Sequence, residues 1–374
     1  MPSSPVHRIA VVPGDGIGVE TTREAVRVLE ALVREGALLA ELTPIPWSAD
    51  DTLATGRALP EGAFERLRRD FDAVLVGAFG DPRIPDMSHA KEILLGMRSR
   101  LDLFANVRPV KCLDDRLSPL KGDASEIDFL VLRENTEGAY VGMGGRFLAD
   151  TKDEVAIEGD VTTRAGTERI CRYAFECARR FGKPRRLDRP PRVLMADKHN
   201  VQRFGGELWR RVFFEVARDF PDCEASHLFA DTLAMEMVLR PASFDVIVTN
   251  NLFGDILSDL AAALVGGLGV TPSGNVHPGQ ISVFEPVHGS APPLAGKGIA
   301  NPLGSILSAA MLLQHLGEEA AAGRVERAVA ACVKAGETTA DLGGKLSTAA
   351  AGSAVLARLE RDADGHLGPE QAVW

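Results

Sequence analysis

The chain has 374 residues, 45% hydrophobic and 25% charged, a globular composition long enough for two domains. Its formal net charge of −10 argues against nucleic acid as the main partner, because that binding rests on lysine and arginine neutralising phosphates. No apolar run reaches membrane-spanning length, Met1 to His7 has no signal core, and Cys112, Cys171, Cys177, Cys223 and Cys332 are scattered like reduced thiols of a cytoplasmic protein.

Short apolar, often β-branched runs alternate with longer amphipathic segments, the pattern of an α/β fold. A strand over 8–12 leads through Pro13-Gly14-Asp15-Gly16-Ile17-Gly18 into a helix over 18–34. The glycine spacing is not G-x-G-x-x-G and no acidic residue follows at the usual distance, so it is weak as a dinucleotide fingerprint. It reads better as a turn that lets a ligand approach the backbone. A strand over 73–77 follows, then Leu94-Leu95-Gly96-Met97-Arg98 and Asn106-Val107-Arg108, with Pro109 marking a break. The next strand, 129–133, is very apolar and ends on Arg133. Arg98, Arg108 and Arg133 are candidates for a carboxylate clamp, since guanidinium forks pair bidentately with carboxylates. Tyr140, one of two tyrosines, sits in the glycine-rich stretch 137–142.

After a helix over 163–181, a basic run extends from Arg179 through Lys183, Arg185, Arg186 and Arg189 to Arg192. Its prolines mark it as a solvated connecting loop. Strands over 192–195 and 226–229 exit into Asp197-Lys198 and Ala230-Asp231, with a helix over 205–219 between them. A strand over 246–249 exits into Asn250-Asn251 and a helix carrying Asp255 and Asp259. Those two carboxylates lie four apart on one helix face, and repel unless a cation or proton lies between them. Oxygen-only ligation suits Mg²⁺ or Mn²⁺, while a solvated acidic helix start is the plainer reading. Gly266-Gly267-Leu268-Gly269 ends this helix; a strand over 282–285 and helices over 302–317 and 322–335 follow. Asp362-Ala363-Asp364-Gly365 faintly resembles a calcium loop but lacks its later ligands and reads as a tail. Several polar strand exits in one chain suggest a shared cleft.

Together these stretches resemble the β-decarboxylating dehydrogenases, the isocitrate/isopropylmalate dehydrogenase family. The likeness runs from the Gly14 to Gly18 turn to Thr339-Ala340-Asp341-Leu342-Gly343-Gly344. Between lie Arg133-Glu134-Asn135-Thr136-Glu137-Gly138, Asp197-Lys198-His199-Asn200, Asn251-Leu252-Phe253-Gly254-Asp255, Glu285-Pro286-Val287-His288-Gly289-Ser290-Ala291-Pro292 and Ile299-Ala300-Asn301-Pro302. The resemblance implies a non-Rossmann, two-domain α/β fold with mixed sheets covered by helices. A cofactor-side domain would comprise 1–104 plus 266–374, and a dimerisation and metal/substrate domain 105–265.

The resemblance also assigns roles. Arg98, Arg108 and Arg133 would hold the malate carboxylates, with Leu94 and Leu95 meeting an alkyl group. Asp255 and Asp259 would bind Mg²⁺ or Mn²⁺, with Asp231 from the other subunit of a homodimer. Lys198, also from the partner, would help deprotonate the substrate hydroxyl, and Tyr140 would protonate the enol. Glu285, His288, Gly289, Ser290, Ala291 and Asn301 would hold the cofactor's adenosine end. The expected reaction is oxidation and decarboxylation of (2R,3S)-3-isopropylmalate to 2-oxoisocaproate in leucine biosynthesis. Two residues depart from the pattern. Pro293 stands where NAD-using members usually place an aspartate and NADP-using isocitrate enzymes often a lysine; with neither present, NAD is expected and NADP is the alternative. Lys91 could receive an extra anionic group, which keeps an isocitrate-like dehydrogenase of a specialised-pathway acid with an anionic side group as an alternative, beside a tartrate or D-malate dehydrogenase. A Mg²⁺-dependent phosphoryl-transfer protein lacks the G-x-x-x-x-G-K-S/T lysine, and a non-catalytic regulatory subunit should have lost Lys198, Tyr140 or a metal aspartate.

Overall fold

The computed structural model describes residues 6–182 and 189–363. Met1 to Pro5, Lys183 to Arg186 of the basic run, and Asp364-Gly365 of the calcium-like tail lie outside the described residues. The chain divides into two compact units, one of Met1–Leu103, Lys111–Glu126 and Ala262–Trp374, the other of Phe104–Val110 and Ile127–Ala261. Among the described residues, no helix is long and apolar enough to cross a membrane.

In the first unit the strands lie in the order Ala40–Pro44, His7–Gly14, Ala73–Ala78, Ser282–Pro286 and Pro272–Val276. Neighbours are parallel except the last pair, which is antiparallel, so the sheet is mixed. Residues 73–78 are buried throughout, which is why that strand reads as a continuous apolar run. On helix Ser88–Arg100, Ile93, Met97 and, just beyond it, Leu101 recur four apart and bury against Val12, Val74, Val76 and Val283. Each such side chain contributes about 1.5–3 kcal/mol by leaving water. Helix Leu303–His315 is mostly apolar and buried almost throughout, Ser305, Ser308 and Gln314 included.

In the second unit the order is Ala105–Lys111, Asp128–Glu134, Val246–Thr249, Arg192–Asp197 and Glu224–Phe229. Pairing is parallel from Asp128–Glu134 to Glu224–Phe229. Helix Arg164–Gly182 turns Ile170, Cys171, Ala174, Phe175 and Ala178 inward. Phe175 stacks on Phe213 at 5.4 Å and on Phe220 at 5.0 Å. An antiparallel hairpin, Gly144–Phe147 with Val155–Glu158, is exposed along both strands.

The strand over 246–249 has the expected bounds, and the other expected strands differ by a few residues at their ends. Pro109 is a correction, because it lies inside a buried strand and does not break it. A proline's fixed φ suits extended backbone, and its missing N–H costs only where a ladder bond needs it. Described parts of the basic run are structured rather than loop: Arg179 lies on helix Arg164–Gly182 and pairs with Asp222, and Arg192 lies on a strand and pairs with Glu224 at 2.8 Å.

Candidate active site

The aspartate pair sits on helix Asn251–Leu264, directly after the buried strand Val246–Thr249. Asp255 accepts hydrogen bonds from Arg133 and from the Tyr140 hydroxyl, the latter at 2.7 Å. One turn on, Asp259 Oδ1 accepts from Arg108 Nη1 at 3.1 Å. Two guanidiniums therefore relieve the repulsion that the sequence assigned to a metal or a proton. Burial alone would raise the Asp255 carboxyl, but Arg133, Tyr140 and Arg108 outweigh it and hold it below the usual carboxylate range. Burial pushes the Tyr140 hydroxyl up, and its bond to Asp255 adds to that, so it keeps its proton at neutral pH. The Arg133 guanidinium also lies 5.0 Å over the Tyr140 ring.

Arg133 is only 1% exposed, which is costly for a cation unless every donor is used. Its Nε and Nη2 both donate to Asn251 Oδ1, at 2.9 and 2.7 Å. Asn251 Nδ2 in turn donates to the Glu137 carbonyl at 2.8 Å. Gly254 makes room for the arginine, since a Cβ there would lie 2.5 Å from Arg133 Cγ and 2.6 Å from its Cβ. Those are stem atoms beside the backbone and cannot swing aside. Gly254→Ala is therefore expected to cost about 1–3 kcal/mol of stability. Thermal unfolding checks this, and an unchanged midpoint with unchanged activity would show that the site does not need this fit.

Lys198 follows strand Arg192–Asp197, and Asp231 opens helix Ala230–Leu239. Lys198 Nζ donates to Asp231 Oδ1 at 2.5 Å and lies 5.4 Å from the Phe229 ring centroid. The ammonium holds the Asp231 carboxyl below the usual range. Two clusters thus form in the second unit: Arg108, Arg133, Tyr140, Asp255 and Asp259 in one, Lys198 with Asp231 in the other. Among the described residues, Asp231, Asp255 and Asp259 of one chain do not form a three-carboxylate group. Each of the three carries a cationic side chain on a carboxylate oxygen, so each presents negative charge that a divalent ion could take over. The donor set is all oxygen, which fits Mg²⁺ or Mn²⁺.

The other expected residues lie in the first unit. Arg98 Nη2 is 3.6 Å from Glu285 Oε1, an ion pair rather than a hydrogen bond. Glu285 Oε1 also accepts from Asn275 Nδ2 at 2.8 Å. Leu94 packs partly on the core below helix Ser88–Arg100, Leu95 is 39% exposed, and Lys91 is exposed. His288 is pushed below its ordinary value by burial, and its buried Nε2 has no hydrogen-bond partner among the described residues. Such an orphaned nitrogen fits a segment that contacts a polar cofactor. Asn301 is buried and tied by Nδ2 to Asp341 Oδ2 at 2.9 Å. Ala291 has φ +38, and Pro293 lies in the short turn Pro292–Leu294.

The glycine turn is read differently in the structure. Gly14 and Gly16 have φ of +70 and +57, and a Cβ at each would lie 2.1 Å from the Ala78 and Ser290 carbonyl oxygens. Glycine is needed there because the chain's own backbone comes close. Ile17 N donates to that same Ser290 carbonyl at 2.8 Å, which ties the turn to the His288 segment. Asp15 fixes the turn by accepting from Ala49 N, Gly80 N and His89 Nε2 at 2.6, 2.9 and 2.8 Å. Sequence reasoning gave Asp15, His89 and Asn251 no role. Only Asn251 carried a signal, its place beside the aspartate pair.

Comparison with known proteins gives the family. The family model described as isocitrate/isopropylmalate dehydrogenase matches residues 8–355. The chain belongs to the isocitrate/isopropylmalate dehydrogenase family. It is an oxidoreductase of the β-decarboxylating dehydrogenase class, as its sequence resemblance implied. A 3-isopropylmalate dehydrogenase of Thermobifida fusca is 44% identical over 327 residues, 86% of this chain and 90% of that protein. One from Mycobacterium tuberculosis is 43% identical over 348 residues, 91% of this chain and 99% of that protein. A solved isocitrate dehydrogenase from Methylococcus capsulatus superposes with a TM-score of 0.83 at 36% identity, covering 94% of this chain and 99% of that one. Such neighbours match the expected non-Rossmann α/β fold with mixed sheets.

Proposed function

We propose that this dehydrogenase converts (2R,3S)-3-isopropylmalate to 2-oxoisocaproate with NAD and Mg²⁺ or Mn²⁺, in cytoplasmic leucine biosynthesis. The observation that carries the substrate is the name shared by relatives 43–45% identical over most of the chain. When bound, the nicotinamide would serve as hydride acceptor and the divalent ion as a Lewis acid for the oxygen that gains charge. Glu285, His288, Gly289, Ser290, Ala291 and Asn301 would hold the adenosine end, and Asp231, Asp255 and Asp259 the ion. NAD is preferred to NADP because no lysine stands at Pro293 to meet a phosphate.

The chain's own side chains supply the rest. Arg98, Arg108 and Arg133 hold the substrate carboxylates. Lys198 helps deprotonate the substrate hydroxyl, and Tyr140, which stays protonated, returns a proton to carbon after carbon dioxide leaves. Tyr140→Phe is expected to slow that protonation about 10²–10⁴-fold while sparing oxidation of the hydroxyl more. Rapid-mixing traces of cofactor reduction and product formation separate the two, and equal loss in both would assign Tyr140 another role.

We place the cofactor side in the first unit and dimerisation in the second. The second unit exposes apolar side chains: Met143, Phe147 and Ile157 at the hairpin, and Leu239 and Ile256 on helices, at 61, 57, 53, 64 and 59%. Exposed apolar groups on this scale suit association with a second copy. In that dimer Lys198 and Asp231 would complete the partner's site.

Leu94 and Leu95 would meet the isopropyl group. Each buried methylene should gain roughly 0.8 kcal/mol. Isopropylmalate should therefore exceed malate in kcat/KM by about a hundredfold or less, since apolar pockets discriminate modestly. A panel of isopropylmalate, malate, tartrate and isocitrate tests this. Preference for a more anionic acid, reversed by Lys91→Leu, would move the substrate away from an alkyl malate.

A further inference from the structure

We propose that Asp197, His199 and His227 form a second cation site, with ligands suited to zinc or another late first-row divalent metal. The backbone brings them together. Strand Arg192–Asp197 pairs in parallel with Glu224–Phe229, with Met195 opposite His227 and Asp197 opposite Phe229. Asp197 and Met195 are two apart, so Asp197 and His227 project from the same face of the sheet. His199 follows two residues beyond the strand end.

His199 Nδ1 lies 3.0 Å and His227 Nε2 2.7 Å from the same carboxylate oxygen, Asp197 Oδ1. Among the described residues this is the one group of three potential ligand atoms all within 4.8 Å of one another. Asp197 is only 2% exposed, and its second oxygen, Oδ2, is buried with no hydrogen-bond partner among the described residues. A buried carboxylate oxygen left so is costly. The adjacent ammonium does not serve it, because Lys198 donates to Asp231. The imidazoles lie 5.0 Å apart by centroid, each against the Phe229 ring at 5.0 and 5.3 Å.

Neutral imidazoles can shift their protons to the outer ring nitrogens, which frees His199 Nδ1 and His227 Nε2 as ligands. A metal would then hold two imidazoles and one carboxylate, and the His199 side chain, 27% exposed, leaves a side open for water. Two nitrogens and a carboxylate favour zinc, cobalt or nickel over magnesium. Asp231, Asp255 and Asp259, offering oxygen only, favour the reverse. The chain would thus sort two classes of ion, whatever the substrate.

The test uses chelator-stripped full-length protein in excess Mg²⁺. Zn²⁺ is titrated by calorimetry, and Co²⁺ by visible absorption. One Zn²⁺ per chain should bind despite the Mg²⁺, and Co²⁺ should give the intense band of four-coordinate geometry. His199→Ala and His227→Gln should each weaken Zn²⁺ binding about tenfold or more. Asp255→Asn should leave it unchanged. His199 is partly exposed, so its variant should fold, which circular dichroism checks. X-ray absorption of the wild-type zinc protein should show two imidazoles and needs no variant. No Zn²⁺ bound, Zn²⁺ displaced by Mg²⁺, equal affinity in His199→Ala, or an imidazole-free spectrum would each overturn the proposal.

Discussion

Lys198→Met is expected to lower turnover about 10²–10⁴-fold, the usual contribution of a positioned acid–base group. Methionine keeps most of the length and the apolar stem against Phe229, but removes the amine that pairs with Asp231. The loss should fall on oxidation of the hydroxyl, read as the rate of cofactor reduction in a single turnover. Decarboxylation of the matching 2-oxo acid, supplied directly, should suffer less. If oxidation ran at the normal rate, Lys198 would be a structural partner of Asp231 and nothing more.

A comparably large loss is expected from the carboxylates. Chelator should abolish turnover, and Asp255→Asn should raise the Mg²⁺ or Mn²⁺ needed for half-activity at least about tenfold. Asparagine keeps the shape and a hydrogen-bond acceptor for Arg133, so the change removes charge with little volume. At a metal concentration too low to support Asp255→Asn, the two variants also test sharing between subunits. Lys198 and Asp231 pair with each other, while Asp255 pairs with Arg133 and Tyr140. If one subunit supplies the first pair and its partner the second group, a mixed dimer of Lys198→Met and Asp255→Asn has one intact site. Random mixing should then restore about a quarter of wild-type activity, since half the dimers are mixed. No recovery after confirmed subunit exchange would place all these residues in one subunit's own site.

Much of this was legible in the sequence, for physical reasons that differ by element. Buried parallel strands such as Val246–Thr249 are apolar on both faces, so their residues announce them. Helix Ile17–Arg34 carries its buried residues at helical spacing. Strand Pro272–Val276 gives no such signal, because it buries Ser273 and Asn275, and Asn275 is satisfied by Glu285 on the neighbouring strand. Strand Ala105–Lys111 was hidden by Pro109.

In the site, residue identity was readable and partnership was not. The sequence marked Arg108, Arg133, Asp255 and Asp259, but their pairing spans 151 and 122 positions along the chain. A reader of local spacing sees two carboxylates that need a cation, and cannot see that two arginines supply it. The same limit explains the glycine turn. Local sequence shows that Gly14 and Gly16 leave space, and only tertiary structure shows that Ala78 and Ser290 fill it.

The most direct test of the proposed reaction measures two products together. Purified enzyme receives (2R,3S)-3-isopropylmalate, NAD and Mg²⁺, and reduced cofactor and carbon dioxide are followed in one vessel. Oxidative decarboxylation predicts that the two form in equal amounts, with 2-oxoisocaproate as the organic product. Reduced cofactor without carbon dioxide, or no turnover of isopropylmalate under conditions where another hydroxy acid is oxidised, would contradict it.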